Sequence, residues 1–194
     1  MTAPLVVVRH GETDWNAEGR LQGQTDIPLN GRGRDQADAV GRTLKAALGD
    51  AAGYRFVASP LSRASETMRR LRAVLGLDPD AFDRDPRLKE LSFGTWEGAT
   101  FRELKRRDPA SVARRTKAIW DFRPPEGESY ADLSLRVGEA VDGLDGPTVL
   151  VAHGGVSRVL LALRGGVDRA AVPDMAIVQG RAIVFDDAGW RWTS

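Results

Sequence analysis

The chain has 194 residues, with 28 Lys+Arg against 27 Asp+Glu for a net charge of +1, and is 42% hydrophobic and 28% charged. That balance gives no broad electrostatic case for nucleic acid or a membrane surface as partner, and the length suits one domain over residues 1–194. Cysteine is absent, which excludes disulfides, thiolate catalysis and thiolate metal sites and fits a reducing, cytoplasmic setting.

The opening "MTAPLVVVRHG" places no basic segment before its apolar run, which is too brief for a signal peptide or a membrane span. Leu5 to Val8 reads as a buried strand, because four consecutive apolar residues need cover on both faces. Asn30 is a plausible N-cap for a helix that sets Ala37, Val40, Leu44 and Leu48 on one face. "YRFVASP" reads as a second strand, with Ser59-Pro60 marking an abrupt helix start and the helix running to Gly76. "RDPRLKELSFGTWEG" is expected to hold a strand and a loop, followed by a short helix near Thr100 to Arg107. Asp108-Pro109 caps a further helix to about Trp120. After the loop "FRPPEGES", Ser129 and Asp132 form a capping-box pattern for a helix to about Leu144. "PTVLVAHGG" is the clearest later strand, with "VSRVLLALRGG" the helix behind it. The tail offers strands near Ala176–Gln179 and Ala182–Asp186.

Strands alternating with helices imply an α/β sandwich with a largely parallel sheet, in which ligands gather beyond the carboxyl ends of the strands. The chain has two histidines. Both His10 and His153 follow an apolar run and precede a glycine, so both are expected at such ends. Their spacing is not that of a metal site, since no H-x-x-x-H, H-x-H or cysteine ligand pattern occurs. "NGRGRDQA" is not a dinucleotide fingerprint, because Gln36 stands at the third glycine position and no strand precedes it. No phosphate-binding G-x-x-x-x-G-K-[ST] loop and no G-x-S-x-G serine elbow occur. Phosphate chemistry fits the residue types better. A phosphoryl group needs convergent donors, which Arg9, Arg63 and His153 can supply. A neutral imidazole offers a nitrogen nucleophile near pH 7.

"VVVRHGETDWN", "SPLSRASET", "LKELSFGTWEG" and "VAHGG", in that order, resemble the histidine phosphatase superfamily, also called the phosphoglycerate mutase-like family. The resemblance implies a three-layer α/β/α sandwich and no required metal or cofactor. It puts His10 at the phosphorylated nucleophile, Arg9 and Arg63 at the phosphate-binding arginines, and His153 at the second histidine. Asn16 and Gln22 fall on side chains that complete the phosphate pocket, and Gly23 and Gly154 are grouped with them as substrate-binding positions. Glu90 falls on the general acid and base, with Glu12 and Glu97 as nearby rivals. Trp96, Trp120, Trp190 and Trp192 read as core or pocket wall.

Within the family the sequence departs from the mutase pattern. Leu91, Ser92 and Phe93 follow Glu90, Phe101 stands at the substrate-binding lysine, Gln22 replaces a threonine, and the stretch between Glu90 and His153 lacks the inserted segment that mutases use to cover the site. These departures favour a metal-independent phosphatase acting on a small phosphomonoester through a phosphohistidine. The alternatives are a cofactor-dependent phosphoglycerate mutase and a catalytically silent phospholigand-binding protein, and a homodimer is compatible with the sequence.

Overall fold

The computed structural model describes residues 3–193. Six strands form one sheet: β1 (Leu5–Arg9), β2 (Arg55–Ala58), β3 (Asp83–Arg84), β4 (Thr148–Ala152), β5 (Ala182–Asp186) and β6 (Gly189–Trp192), in the order β3-β2-β4-β1-β5-β6. β1 to β4 run parallel, and β5 lies antiparallel to both β1 and β6. The helices are α1 (Asp14–Ala17), α2 (Gly31–Leu48), α3 (Ser62–Leu75), α4 (Phe101–Arg107), α5 (Pro109–Lys117), α6 (Tyr130–Asp142) and α7 (Gly154–Leu163).

The apolar runs of β1 and β4 are buried on both faces, and the period of two sorts their side chains. Val6, Val8, Val149 and Val151 pack with Val40 and Leu44 of α2 and Met68 and Leu71 of α3. On the opposite face, Leu5, Val7, Leu150 and Ala152 pack with Leu133 and Val137 of α6 and Val156 and Leu160 of α7. The expected three-layer sandwich with a largely parallel sheet is what forms. A smaller cluster of Trp96, Ala99, Leu104 and Val112 supports α4 and α5.

Local signals explain most element ends. Asn30 accepts the Gly33 amide at 2.9 Å, and Asp108 accepts the Ser111 amide at 3.1 Å with Pro109 as the first helical residue. Ser129 and Asp132 make the reciprocal capping box of α6. Other boundaries differ from the sequence reading. α3 begins at Ser62 behind Leu61, which makes no side-chain cap, so Ser59 is not the helix cap. α5 ends at Lys117, short of Trp120. Between residues 83 and 98 the only strand is the two-residue β3, followed by two 3-10 turns, Pro86–Leu88 and Gly94–Trp96.

Ala176–Gln179 forms no strand; the carbonyl of Ile177 accepts from Arg9 at 2.7 Å and that of Met175 from Arg158 at 3.1 Å. Guanidinium groups take the acceptors that a sheet ladder would have used. Trp96 is core and stacks on Phe122, while Trp190 and Trp192 sit half-buried on β6 against the cluster beneath α6 and α7. No helix among the described residues is long and apolar enough to cross a membrane.

Candidate active site

Parallel pairing of β1 with β4 puts Arg9 beside Ala152, and the amide of His10 continues the ladder onto the Ala152 carbonyl at 3.0 Å. The next residue on each strand is a histidine. The rings of His10 and His153 meet edge to face, with centroids 5.1 Å apart and planes at 61°. Both are buried, at 3% and 0% exposure.

His10 Nδ1 lies 2.7 Å from the carbonyl oxygen of Gly11. A carbonyl can only accept, so Nδ1 carries the proton and Nε2 keeps its lone pair. Burial holds His10 well below the ordinary imidazole pKa, helped by the charges of Arg63 and Arg9. Burial does the same to His153, with Arg63, His10 and Arg9 adding to the effect. Both rings are therefore neutral at pH 7, and His10 presents an unprotonated nitrogen.

Two arginines frame the pair. Arg63, 0% exposed, clamps the first loop by donating to the carbonyls of Gly23 at 2.7 Å and Thr25 at 2.8 Å. Gly23 has φ +53°, and a Cβ there would collide with the carboxylate of Glu97. Glu97 fixes the same loop by accepting from the amides of Gln24, Thr25 and Phe93 and from the Thr25 hydroxyl at 2.5 Å. Arg9 reaches Ile177, and its guanidinium passes close to Gly154. Burial lowers the pKa of both arginines, and Glu90 opposes that shift in each. Four buried polar atoms have no hydrogen-bond partner among the described residues: Arg9 Nε, Arg63 Nε, His153 Nδ1 and Gln22 Oε1. Three of the four are nitrogens that can carry a proton toward an anion, and the fourth belongs to a carboxamide whose NH2 can do so after a flip.

Glu90 stands at the amino end of α7. Its carboxylate accepts from the Gly155 amide at 3.1 Å on both oxygens, and from the Leu91 amide at 2.8 Å. A Cβ on Gly155 would fall 2.3 Å from Glu90 Oε1, so glycine is what lets the carboxylate rest there. Its rivals are placed elsewhere: Glu97 is consumed by the loop, and Glu12 binds Asn30 and pairs with Arg32.

The structure thus brings together His10, His153, Arg9, Arg63, Glu90, Gly154 and the Gln22–Gly23 turn. Asn16 is less committed to them. Its Oδ1 accepts from the Thr13 amide and hydroxyl and from Gln179 at 3.0 Å, which makes it the partner of the N-cap Thr13 in the capping box of α1 and a tie to the tail.

Sequence reasoning missed several neighbours. Arg158 of α7 comes close to Gly154 and interacts with Arg9 and Tyr130. Arg115 of α5, its pKa lowered by burial, also interacts with Tyr130 and Arg158. Neither makes an ion pair with a carboxylate among the described residues. Two cations thus stand beside Tyr130, on α5 and α7, although Phe occupies position 101. Arg158 follows His153 by little more than one helical turn, a signal the sequence did hold. An open cavity of about 780 Å³ beside Trp120, Leu135 and Asp168 includes neither histidine, so chemistry rather than volume marks this site.

The two neutral imidazoles link stability to pH. Their folded pKa values lie below the unfolded value of about 6.5, so the unfolded chain binds more protons and stability rises with pH. Their contribution is complete above that value and is lost progressively as pH falls below it. The paired carboxylates with lowered pKa begin to titrate only below about pH 5. Thermal unfolding from pH 7.5 to 5 is expected to show a falling midpoint. Replacing both histidines by Gln should flatten that slope, and an unchanged slope would contradict the assignment.

Comparison with known proteins agrees with this geometry. Residues 5–194 match the model of the histidine phosphatase superfamily, branch 1. A glucosyl-3-phosphoglycerate phosphatase of Mycobacterium tuberculosis is 38% identical over 172 residues, covering 81% of this chain and 73% of that protein. A 2,3-bisphosphoglycerate-dependent phosphoglycerate mutase of Methylobacterium radiotolerans is 33% identical over 191 residues, covering 93% and 88%. Among solved structures, the α-ribazole phosphatase of Shigella flexneri superposes with TM-score 0.82 at 27% identity, covering 94% of this chain and 90% of that one. The chain belongs to the histidine phosphatase superfamily.

Proposed function

We propose that the protein hydrolyses small phosphomonoesters through a phosphohistidine on His10. The observation that carries this reading is the group of buried, partnerless donors on Arg9, Arg63 and His153 flanking an imidazole whose Nε2 lone pair is left open. Buried donors without partners cost about 1–3 kcal/mol each, and a bound phosphoryl group removes that cost.

In the first half-reaction Nε2 of His10 bonds to phosphorus as the phosphorus–oxygen ester bond breaks, and Glu90 gives its proton to the departing alkoxide. In the second, water attacks the phosphorus, Glu90 takes the water's proton, and the nitrogen–phosphorus bond breaks to release phosphate. The arginines and His153 stabilise the phosphoryl oxygens throughout, which is the main task in phosphoryl transfer. Gln22 joins them once its carboxamide turns its NH2 toward the anion. These steps need no metal, and the proposed setting is the cytoplasm.

Arg115 and Arg158 beside Tyr130 suit a second anionic group on the substrate, such as a carboxylate. The name of the mycobacterial relative, a phosphatase of glucosyl-3-phosphoglycerate, supports a phosphorylated sugar acid as substrate class. Incubation with a 32P-labelled phosphomonoester should give an acid-labile, alkali-stable protein phosphate. His10→Ala should abolish it, EDTA should not, and a label that survives in His10→Ala would remove His10 as nucleophile.

Glu90→Gln should cut turnover of an alkyl phosphate by roughly 10²–10⁴-fold. The loss on p-nitrophenyl phosphate should be much smaller, because its leaving group hardly needs a proton. Equal losses on both would take Glu90 out of the acid role.

A phosphoglycerate mutase is the second reading, favoured by the Methylobacterium relative and by the same two cations. Given 3-phosphoglycerate and a bisphosphoglycerate primer, the protein is expected to release inorganic phosphate faster than it forms 2-phosphoglycerate. The reverse ratio selects the mutase.

A further inference from the structure

His153 Nε2 lies 2.8 Å from Ser59 Oγ, and both side chains are wholly buried. Ser59 precedes α3, and its position is fixed by its backbone. Its amide donates to Val151 at 3.0 Å and its carbonyl accepts from the Ser65 hydroxyl at 3.2 Å. The hydroxyl oxygen also receives the Leu61 amide, at a long 3.4 Å.

Two proton arrangements satisfy the Ser59–His153 contact, and they leave different remainders. If Nε2 carries the proton and donates to Oγ, the serine hydrogen has no acceptor and Nδ1 is a buried lone pair with no donor. Two polar groups are then unsatisfied. If the serine hydroxyl donates to Nε2, Nδ1 carries the proton, and that single N–H is the one group without a partner. Each unsatisfied buried group costs about 1–3 kcal/mol, so the second arrangement wins. It also turns a donor, rather than a lone pair, toward an incoming phosphoryl oxygen.

We infer that Ser59 is a positioning residue that selects the Nδ1–H tautomer of His153 and so makes that ring a hydrogen-bond donor to the transferring phosphoryl group. The inference rests on the phosphohistidine reading for its functional part. His10 reaches the same tautomer by a different route, its Nδ1–H being held by the Gly11 carbonyl. The site therefore needs both rings in one tautomer for opposite ends: His10 to leave Nε2 as nucleophile, His153 to offer Nδ1–H as donor. Ser59 can also reverse its hydroxyl and accept from Nε2–H when His153 is protonated, so the contact survives both charge states.

The test uses the two-histidine composition, which makes the imidazole signals easy to assign. Long-range 1H–15N correlation spectra of the wild type should show both rings with a protonated Nδ1 and an unprotonated Nε2. In Ser59→Ala, His153 should shift toward the Nε2–H form while His10 stays as it was. Vanadate affinity should fall roughly ten-fold or more, the scale of a lost hydrogen bond to a charged group. The pH–rate profile should also move. Ser59→Thr, which keeps the hydroxyl, should restore the tautomer and most of the vanadate affinity, separating proton placement from simple loss of packing.

A wild-type His153 in the Nε2–H form would overturn the inference, as would an Ala variant with unchanged tautomer, vanadate affinity and pH profile. Failure of the phosphohistidine reading would be seen separately, as absence of the phosphoenzyme from wild type.

Discussion

The site depends on one backbone interaction, the parallel ladder between β1 and β4. Neighbouring strands lie about 4.8 Å apart, and the rings carried one residue beyond Arg9 and Ala152 have centroids 5.1 Å apart. Strand spacing sets ring spacing. The same ladder delivers the amino end of α7, where Gly155 receives Glu90. Arg63 comes from α3, behind the strand on the other side of β4.

Such a site opposes folding. It gathers two uncharged imidazoles and two guanidinium groups where burial disfavours charge, and it leaves polar atoms without partners. The core offsets this. Val6, Val8, Val149, Val151, Leu150 and Leu160 are at most 1% exposed, and each such side chain contributes about 1.5–3 kcal/mol on burial. Residues around the site also hold one another. Arg136 binds Glu128 and the carbonyls of Lys89 and Glu90, so the backbone of Glu90 is held by an arginine that is itself paired with a carboxylate.

Much of this was legible in the chain. The two apolar runs ending in His-Gly announced β1, β4 and the place of both rings, because only strands covered on both faces are apolar throughout. Cap residues marked α2, α5 and α6 for similarly local reasons. What could not be read depended on distant partners. Ala176–Gln179 looks like a strand until Arg9 and Arg158 take the neighbouring carbonyls. Glu97 and Glu90 are chemically alike in sequence; one is bound up by loop amides and the other lies on a helix end. Ser59 resembled a helix signal because its true partner is 94 residues away. Arg115 sat inside a charge run, a pattern that usually means solvated surface.

The position of β1 has a kinetic corollary. It precedes all other strands yet lies between β4 and β5, whose residues begin at 148 and 182. The segment Leu5–Val8 therefore has no ladder partner until residues 148–152 or 182–185 reach it. Contacts of such long sequence separation slow folding and expose the waiting segment to aggregation. The rings of His10 and His153 therefore come together only when that long-range pairing forms, so the site is assembled no earlier than the centre of the sheet.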